Sequence, residues 1–340
     1  MVVNVLALTV LAGWVLWPAN TAAPPSINAG GPTGPGAATA PPVPTKADVM
    51  SQREHTVRFG LSSPDAPYSR AELDALSKAA GSRPTMIQFF VKWNESFPPD
   101  AVEDTYAYGA LPVLSWEPWA GMESGVNQPK YALAKITSGA FDPYIIGFAT
   151  AVRAARYPIA VRFAHEMNGG WYPWSQQRSG NHMGDFVKAW RHVHDVFTKV
   201  GATNVIWIWS PNILRPVPRI SLAELYPGDA YVDWVGMVGY DVKETTASAV
   251  FQPTMTAIRK FTRKPFVITE TGSQPGLHKA AWITNFFAWL LNHPDVIGFI
   301  WFEYSKDQGG SADWRFTETA ASLRAFRAGI ARLALSPIAP

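Results

Sequence analysis

Two glutamates stand out, because each ends a short apolar run and is followed closely by glycine. Glu166 lies in Arg162-Phe163-Ala164-His165-Glu166-Met167-Asn168-Gly169-Gly170-Trp171-Tyr172-Pro173-Trp174, and Glu270 in Phe266-Val267-Ile268-Thr269-Glu270-Thr271-Gly272. Two carboxyl groups brought to one cleft can split a glycosidic bond: one protonates the leaving oxygen, and the other attacks the anomeric carbon or activates water. A single loop glutamate is more often only a solvated charge, so the pair is what points to chemistry. Other chemistries find less support. His165-Glu166 is not followed by a second histidine at the spacing a zinc-protease helix needs. His192 and His194 are two apart in a helical stretch and face different ways. No serine sits in a G-x-S-x-G elbow. The chain has no cysteine, which excludes thiolate nucleophiles, iron–sulfur clusters and disulfides. No metal and no cofactor is called for.

The elements that would position the two glutamates alternate in type. Short β-rich runs fall at Val57–Gly60, Thr85–Val91, Leu111–Trp116, Ile159–Ala164, Val205–Trp209, Trp234–Val238, Phe266–Thr269 and Ile297–Phe302. Helical patterns such as Arg70–Ala80, Phe141–Arg156, Asp185–Val200, Ala247–Phe261 and Ala280–Leu291 lie between them. Pro84, Pro112, Pro158, Gly201 and Pro265 mark the transitions. Eight strands, each followed by a connection, spell an α/β fold of the (β/α)₈ TIM-barrel type. A doubly wound sheet would show a glycine-rich phosphate turn after an early strand, and none appears. In a barrel, functional groups gather at the C-terminal strand ends. Strands four and seven therefore carry Glu166 and Glu270 to one rim, across the mouth from each other.

Bulk properties agree with a large core and exclude some partners. Of 340 residues, 47% are hydrophobic and 16% charged, below the roughly 25% usual for soluble domains. The net charge of +3 is scattered, so no basic patch offers itself to nucleic acid. Fifteen tryptophans either fill an aromatic core or stack on sugar rings. Met1–Trp17 is nearly all apolar and reads as a signal peptide or membrane anchor, although no Lys or Arg precedes Lys46. Residues 18–52 are rich in Pro, Gly and Ala and read as a disordered linker. The barrel then occupies 53–335. This order implies a monomer that is secreted, or tethered by its N-terminus to the outer face of the membrane.

The stretch Arg162–Trp174 closely resembles the acid/base signature of glycoside hydrolase family 26. Trp209-Ser210-Pro211-Asn212, Tyr226-Pro227-Gly228-Asp229, Thr269-Glu270-Thr271-Gly272 and Trp301-Phe302 with Asp313-Trp314-Arg315 extend the resemblance along the barrel. The resemblance implies a retaining endo-β-glycanase acting on a polysaccharide, β-1,4-mannan first and β-1,3-1,4-glucan second. A non-catalytic carbohydrate-binding barrel is the alternative from another class. Carried over, it makes Glu166 the general acid/base and Glu270 the nucleophile. It has His165 contact the reacting sugar, Tyr240 hydrogen-bond the nucleophile and so favour its ionised form, and Trp301 floor the subsite before the cleaved bond. Trp171 and Trp174 surround Glu166 and would favour its protonated form. Arg162 shares a strand face with Glu166, where it either tunes a carboxylate or, the reading favoured here, satisfies buried acids. Trp116 with Trp93 and Trp119 is placed to line further sugar subsites, core or rim packing being the other role open to each. Glu117 is a third carboxylate at a strand end. Val238, Glu303 and Tyr172-Pro173-Trp174 depart from the usual mannanase pattern.

Overall fold

A computed structural model of the protein describes residues 43–51, 54–215 and 220–338. Eight parallel strands close in sequence order: β1 (Arg58–Ser62), β2 (Met86–Lys92), β3 (Leu111–Glu117), β4 (Ile159–Phe163), β5 (Val205–Trp209), β6 (Trp234–Asp241), β7 (Phe266–Ser273) and β8 (Val296–Phe302). The helices are α1 (Lys46–Met50), α2 (Arg70–Ala80), α3 (Pro99–Tyr108), α4 (Leu133–Thr137), α5 (Asp142–Ala155), α6 (Asp185–Val200), α7 (Ala247–Ile258), α8 (Lys279–Leu291) and α9 (Ala320–Ile330). The expected barrel is therefore present. Local signals explain the boundaries. In α6, Phe186, Ala189, Trp190, Val193 and Phe197 repeat at helical spacing and bury one face, and Gly201 in the left-handed region ends the helix. Ser69 caps α2 by accepting from the Glu72 amide.

Alternation along the strands builds two cores. Outward side chains pack under the helices: Trp116 stacks on Phe148 of α5 at 4.4 Å, and Trp301 meets Phe326 of α9 at 5.1 Å. Inward side chains fill the barrel in layers. The lower layers are apolar, with Met86, Val113, Ala160, Ile206, Trp234, Val267 and Ile300 in one cluster. Above them the inward positions turn polar: Gln88, Ser115, Arg162 and Thr269, with Ser210 just past β5, all buried. Every described tryptophan except Trp171 is buried, so the tryptophan excess is mainly core.

One irregularity matters for the rim. The β6–β7 pairing runs Met237 to Ile268 and then Val238 to Glu270, leaving Thr269 as an extra residue. This β-bulge shifts the alternation by one, so Glu270 faces the same interior as Thr269 instead of pointing out with Ile268.

The apolar segment 1–17, and residues 18–42 and 52 of the stretch read as linker, lie outside the described residues. Within the stretch read as linker, Lys46–Met50 is a capped helix rather than disordered chain. Thr45 and Asp48 form a capping box, Lys46 pairs with Asp233 at 2.7 Å, and Val49 is fully buried in the lower apolar cluster. Its carbonyl accepts from Arg58 at 2.7 Å. Two polar bonds and one buried valine suffice to dock five residues that a Pro/Gly-rich composition had assigned to the tether. Among the described residues, no helix is long and apolar enough to cross a membrane. Val49→Ala is expected to lower stability by roughly 2 kcal/mol, seen as a drop of several degrees in the thermal unfolding midpoint. An unchanged midpoint would contradict the docking of α1.

Candidate active site

The upper polar layer carries the rim carboxylates. Arg162, on β4, is buried, and its Nη1 donates to Glu270 Oε1 at 2.5 Å. The guanidinium is held in turn by Ser210 Oγ at 2.9 Å and Ser115 Oγ at 3.1 Å, with Ser210 Oγ 2.7 Å from Thr269 Oγ1. Tyr240, on β6, donates to Glu270 Oε2 at 2.8 Å, and Gln88 Nε2 reaches Oε1 at 3.4 Å. Three donors converge on this carboxylate, an arrangement that only its ionised form satisfies in full. Burial and the charge of Glu270 push the Tyr240 phenol well above its ordinary range, so it keeps its proton.

Glu166 follows β4 in a different setting. Its backbone lies in the left-handed region at φ 52°, as does Ala164 at φ 45°, a conformation costly for non-glycine residues. The Glu166 amide donates to the Ser210 carbonyl at 2.7 Å, tying this strained turn to the end of β5. One carboxyl oxygen accepts from Trp171 Nε1 at 2.5 Å and the other from Asn212 Nδ2 at 2.6 Å. Asn212 is itself clamped: its amide donates to Asn168 Oδ1, and its carbonyl accepts from Asn168 Nδ2. Burial, and then the charge of Glu270, push the Glu166 carboxyl up to about 7, while the Asn212 and Trp171 donors pull it down. The two carboxylates thus share a rim but not an environment.

Beside Glu166, His165 is buried, and its Nε2 lies 3.2 Å from the Tyr172 hydroxyl. Burial, with Arg162 nearby, holds its pKa well below the ordinary histidine value, so the ring is neutral. Glu117, at the end of β3, is buried 3.9 Å from that ring, and burial pushes it to about 7. Trp119 Nε1 donates to its carboxyl at 3.2 Å. Among the described residues no cluster of His, Asp and Glu is grouped to hold a metal ion.

The structure brings Glu166, Glu270, His165, Trp171, Tyr240 and Arg162 together, but some of their expected roles change. Arg162 has no exposed surface and touches the Glu270 carboxylate, so it positions that group rather than meeting a ligand. Trp116 and Trp301 are wholly buried on the outward faces of β3 and β8, and Trp301 spends its indole N–H on the Trp314 carbonyl. Neither can line a subsite. Trp174 is also wholly buried, donating to the His165 carbonyl at 2.6 Å and stacking on Tyr172 at 4.3 Å; it backs the wall without facing the cleft. Trp93 and Trp119 are buried as well. Glu303 is buried and accepts from Thr317 Oγ1 and from the Phe316 and Thr317 amides, which pins the loop carrying Trp314.

Sequence reasoning gave no role to Asn212, Gln88, Phe302 or Trp314. Phe302 is half-buried and meets Tyr240 edge-on at 6.0 Å; Trp314 lies 4.5 Å from the same ring. Strict alternation could have found Phe302, because it shares the inward face of β8 with Ile300, whereas Trp301 cannot. Asn212 lay within Trp209-Ser210-Pro211-Asn212, but nothing in one sequence says that its amide reaches Glu166.

Comparison with known proteins gives a consistent picture. Residues 119–292 match the family described as Glycosyl hydrolase family 26. The chain is 30% identical over 279 residues to Endoglucanase H of Acetivibrio thermocellus, covering 77% of this chain and 29% of that protein. It is 30% identical over 122 residues to a mannan endo-1,4-beta-mannosidase of Bacillus subtilis, covering 34% and 31%. The match thus spans less than a third of the length of either relative. Among solved structures, the fold is similar to an endo-beta-1,4-mannanase double mutant from Cellulomonas fimi (TM-score 0.63, 19% identity, 83% of this chain and 72% of that one). It is also similar to GH26A from Muricauda sp. MAR_2010_75 (TM-score 0.59, 20% identity, 83% and 90%).

The electrostatics of Glu166 are open to direct measurement. Its ¹³C-labelled carboxyl, followed by NMR, is expected to titrate near 7. Asn212→Ala removes a donor to the anion and should move that midpoint to higher pH. A midpoint that falls or stays fixed in the variant would contradict this geometry.

Proposed function

Because the chain belongs to glycosyl hydrolase family 26, we propose that it is a retaining endo-β-glycanase working by double displacement. One observation carries this reading: two carboxyl groups on one rim, one satisfied as an anion and the other raised to about 7. Glu270 attacks the anomeric carbon while the Glu166 proton passes to the leaving oxygen, so the aglycone departs as an alcohol. Glu166, now a carboxylate, takes a proton from water; that water attacks the same carbon and Glu270 is released. Tyr240 retains its proton throughout and steadies the nucleophile. Neutral His165 offers its ring to the reacting sugar, and Arg162 keeps Glu270 in place.

β-1,4-Mannan is the first substrate, as the name of the Bacillus subtilis relative suggests. A β-1,4- or mixed-linkage β-1,3-1,4-glucan is the second reading, favoured because the relative aligned over most of the chain carries an endoglucanase name. The apolar segment 1–17 supports action outside the cytoplasm by a secreted or tethered single chain.

The test is a panel of mannan, glucomannan, lichenan, β-1,3-xylan and cellulose, read by product mass and linkage. Mannan is expected to shorten from within the chain, releasing oligomers before monomers. Glu270→Ala is expected to abolish turnover, and azide to restore part of it as a glycosyl azide. Glu166→Ala should lose roughly 10²–10⁴-fold and spare substrates with good leaving groups. Wild-type turnover in Glu270→Ala would overturn the assignment.

A further inference from the structure

The rim above β8, β1 and β2 has no part in the chemistry above, yet it holds a cavity of about 500 Å³. It lies between the loop after β1, with Pro64, Ala66 and Tyr68, and the loop after β2, with Glu95 and Ser96; Phe90 and Tyr304 also line it. That volume is in the range of small-ligand sites, and its lining of aromatic rings with a few polar groups is typical of them. Tyr68 is 63% exposed, a large aromatic surface left to solvent on the cavity wall.

The walls are fixed without any ligand. Tyr304 Oη donates to the Ser63 carbonyl at 3.0 Å, and Glu72 accepts from Ser63 Oγ at 2.8 Å and from the Asp65 amide at 3.3 Å. On the other side Glu95 accepts from the Lys92 amide at 2.9 Å, and its carbonyl accepts from Tyr144 Oη at 2.9 Å. A pre-formed groove gives up little ordering entropy on binding.

Two ring contacts place the cavity's lining next to the candidate active site. Phe90 lies edge-on to His165 at 6.1 Å, and Tyr304 stacks on Phe302 at 4.2 Å, which in turn meets Tyr240 beside Glu270. In the closed strand order, β8, β1 and β2 lie across the barrel from β4 and β5, which carry Glu166 and Asn212. An acid that protonates the leaving oxygen must have the leaving sugar on its own side. The sugars that stay joined to the attacked carbon therefore run the other way, toward this groove.

Charge narrows the ligand further. Glu95 is the one charged side chain among the lining residues, and Asp100 and Asp104 add negative potential at Tyr68. A uronate chain would be repelled there, whereas a neutral sugar can stack on the Tyr68 ring and donate hydroxyls to Glu95. We propose that the groove between the β1 and β2 loops is a distal subsite for the non-reducing part of a neutral β-glycan, with Tyr68 as its stacking platform; this rests on the roles given above to Glu166 and Glu270.

The experiment titrates the full chain and Tyr68→Ala with mannopentaose, cellopentaose and a β-1,4-linked glucuronate pentamer by calorimetry. Hydrolysis of the neutral pentamers and of the matching 2,4-dinitrophenyl β-bioside is followed in parallel. Tyr68→Ala is expected to weaken the tighter neutral pentamer roughly tenfold, the size of one good aromatic contact. The ratio of kcat/KM for pentamer over aryl bioside should fall by a similar factor. The glucuronate pentamer should bind at least tenfold more weakly than the neutral ones. Unchanged pentamer affinity in Tyr68→Ala, no neutral pentamer binding to the wild type, or equal binding of the anionic pentamer would overturn the proposal. If the wild type binds a neutral pentamer through Tyr68 but cleaves nothing, the hydrolase reading falls and the groove stands.

Discussion

A guanidinium without exposed surface, Arg162, touching the Glu270 carboxylate at 2.5 Å is the constraint around which the rim is arranged. A buried ion pair adds little net stability, because both charges lose their water, but breaking one leaves a lone buried charge and costs about 3–5 kcal/mol. Further hydrogen bonds hold the pair at two of the three guanidinium nitrogens, while Nη2 is buried without a partner among the described residues. Ser115 and Ser210 serve the guanidinium, and Tyr240 and Gln88 serve the carboxylate. With Arg162 and Glu270 these residues come from six different strands or strand ends, so the barrel must close before the site exists. The bulge at Thr269 belongs to the same arrangement, since without that extra residue Glu270 would point at the helices.

The second carboxyl is governed by different physics. Glu166 lies outside the reach of Arg162 hydrogen bonds and is exposed to the negative charge of Glu270 in a dry surround, which favours its protonated form. Its left-handed backbone is held by the Ser210 carbonyl, so one serine supports both halves: its hydroxyl steadies Arg162 and its carbonyl steadies Glu166. Moving the end of β5 would disturb both carboxyl groups at once. The asymmetry on which the proposed roles of nucleophile and acid rest comes from placement, since both residues are glutamate.

Much of this was legible in the sequence, and the misses have physical causes. Strand and helix periods located all eight strands to within a few residues. β6 and β7 run on to Asp241 and Ser273, because pairing across the bulge continues past the point where the apolar run ends. Aromatic residues were the hardest to place. Trp116 and Trp301 looked suited to a sugar but stand at outward positions, where stacking on Phe148 and Phe326 buries them completely. The half-buried Phe302 beside Trp301 stands in the same motif but carried no role. Parity along a strand decides the matter, and one residue of shift exchanges core for cleft. Asn212 was invisible for another reason: its link to Glu166 is a contact between strand ends 46 residues apart in sequence.

In the proposed mechanism Glu270, seated by Arg162, is the group that bonds to the sugar. A 2-deoxy-2-fluoro β-glycoside of the preferred sugar, carrying a dinitrophenyl leaving group, would trap that intermediate. Peptide mass spectrometry should then find one glycosyl group, attached at Glu270. Attachment at Glu117 or Glu166, or no adduct together with inverted product anomers, would contradict the account.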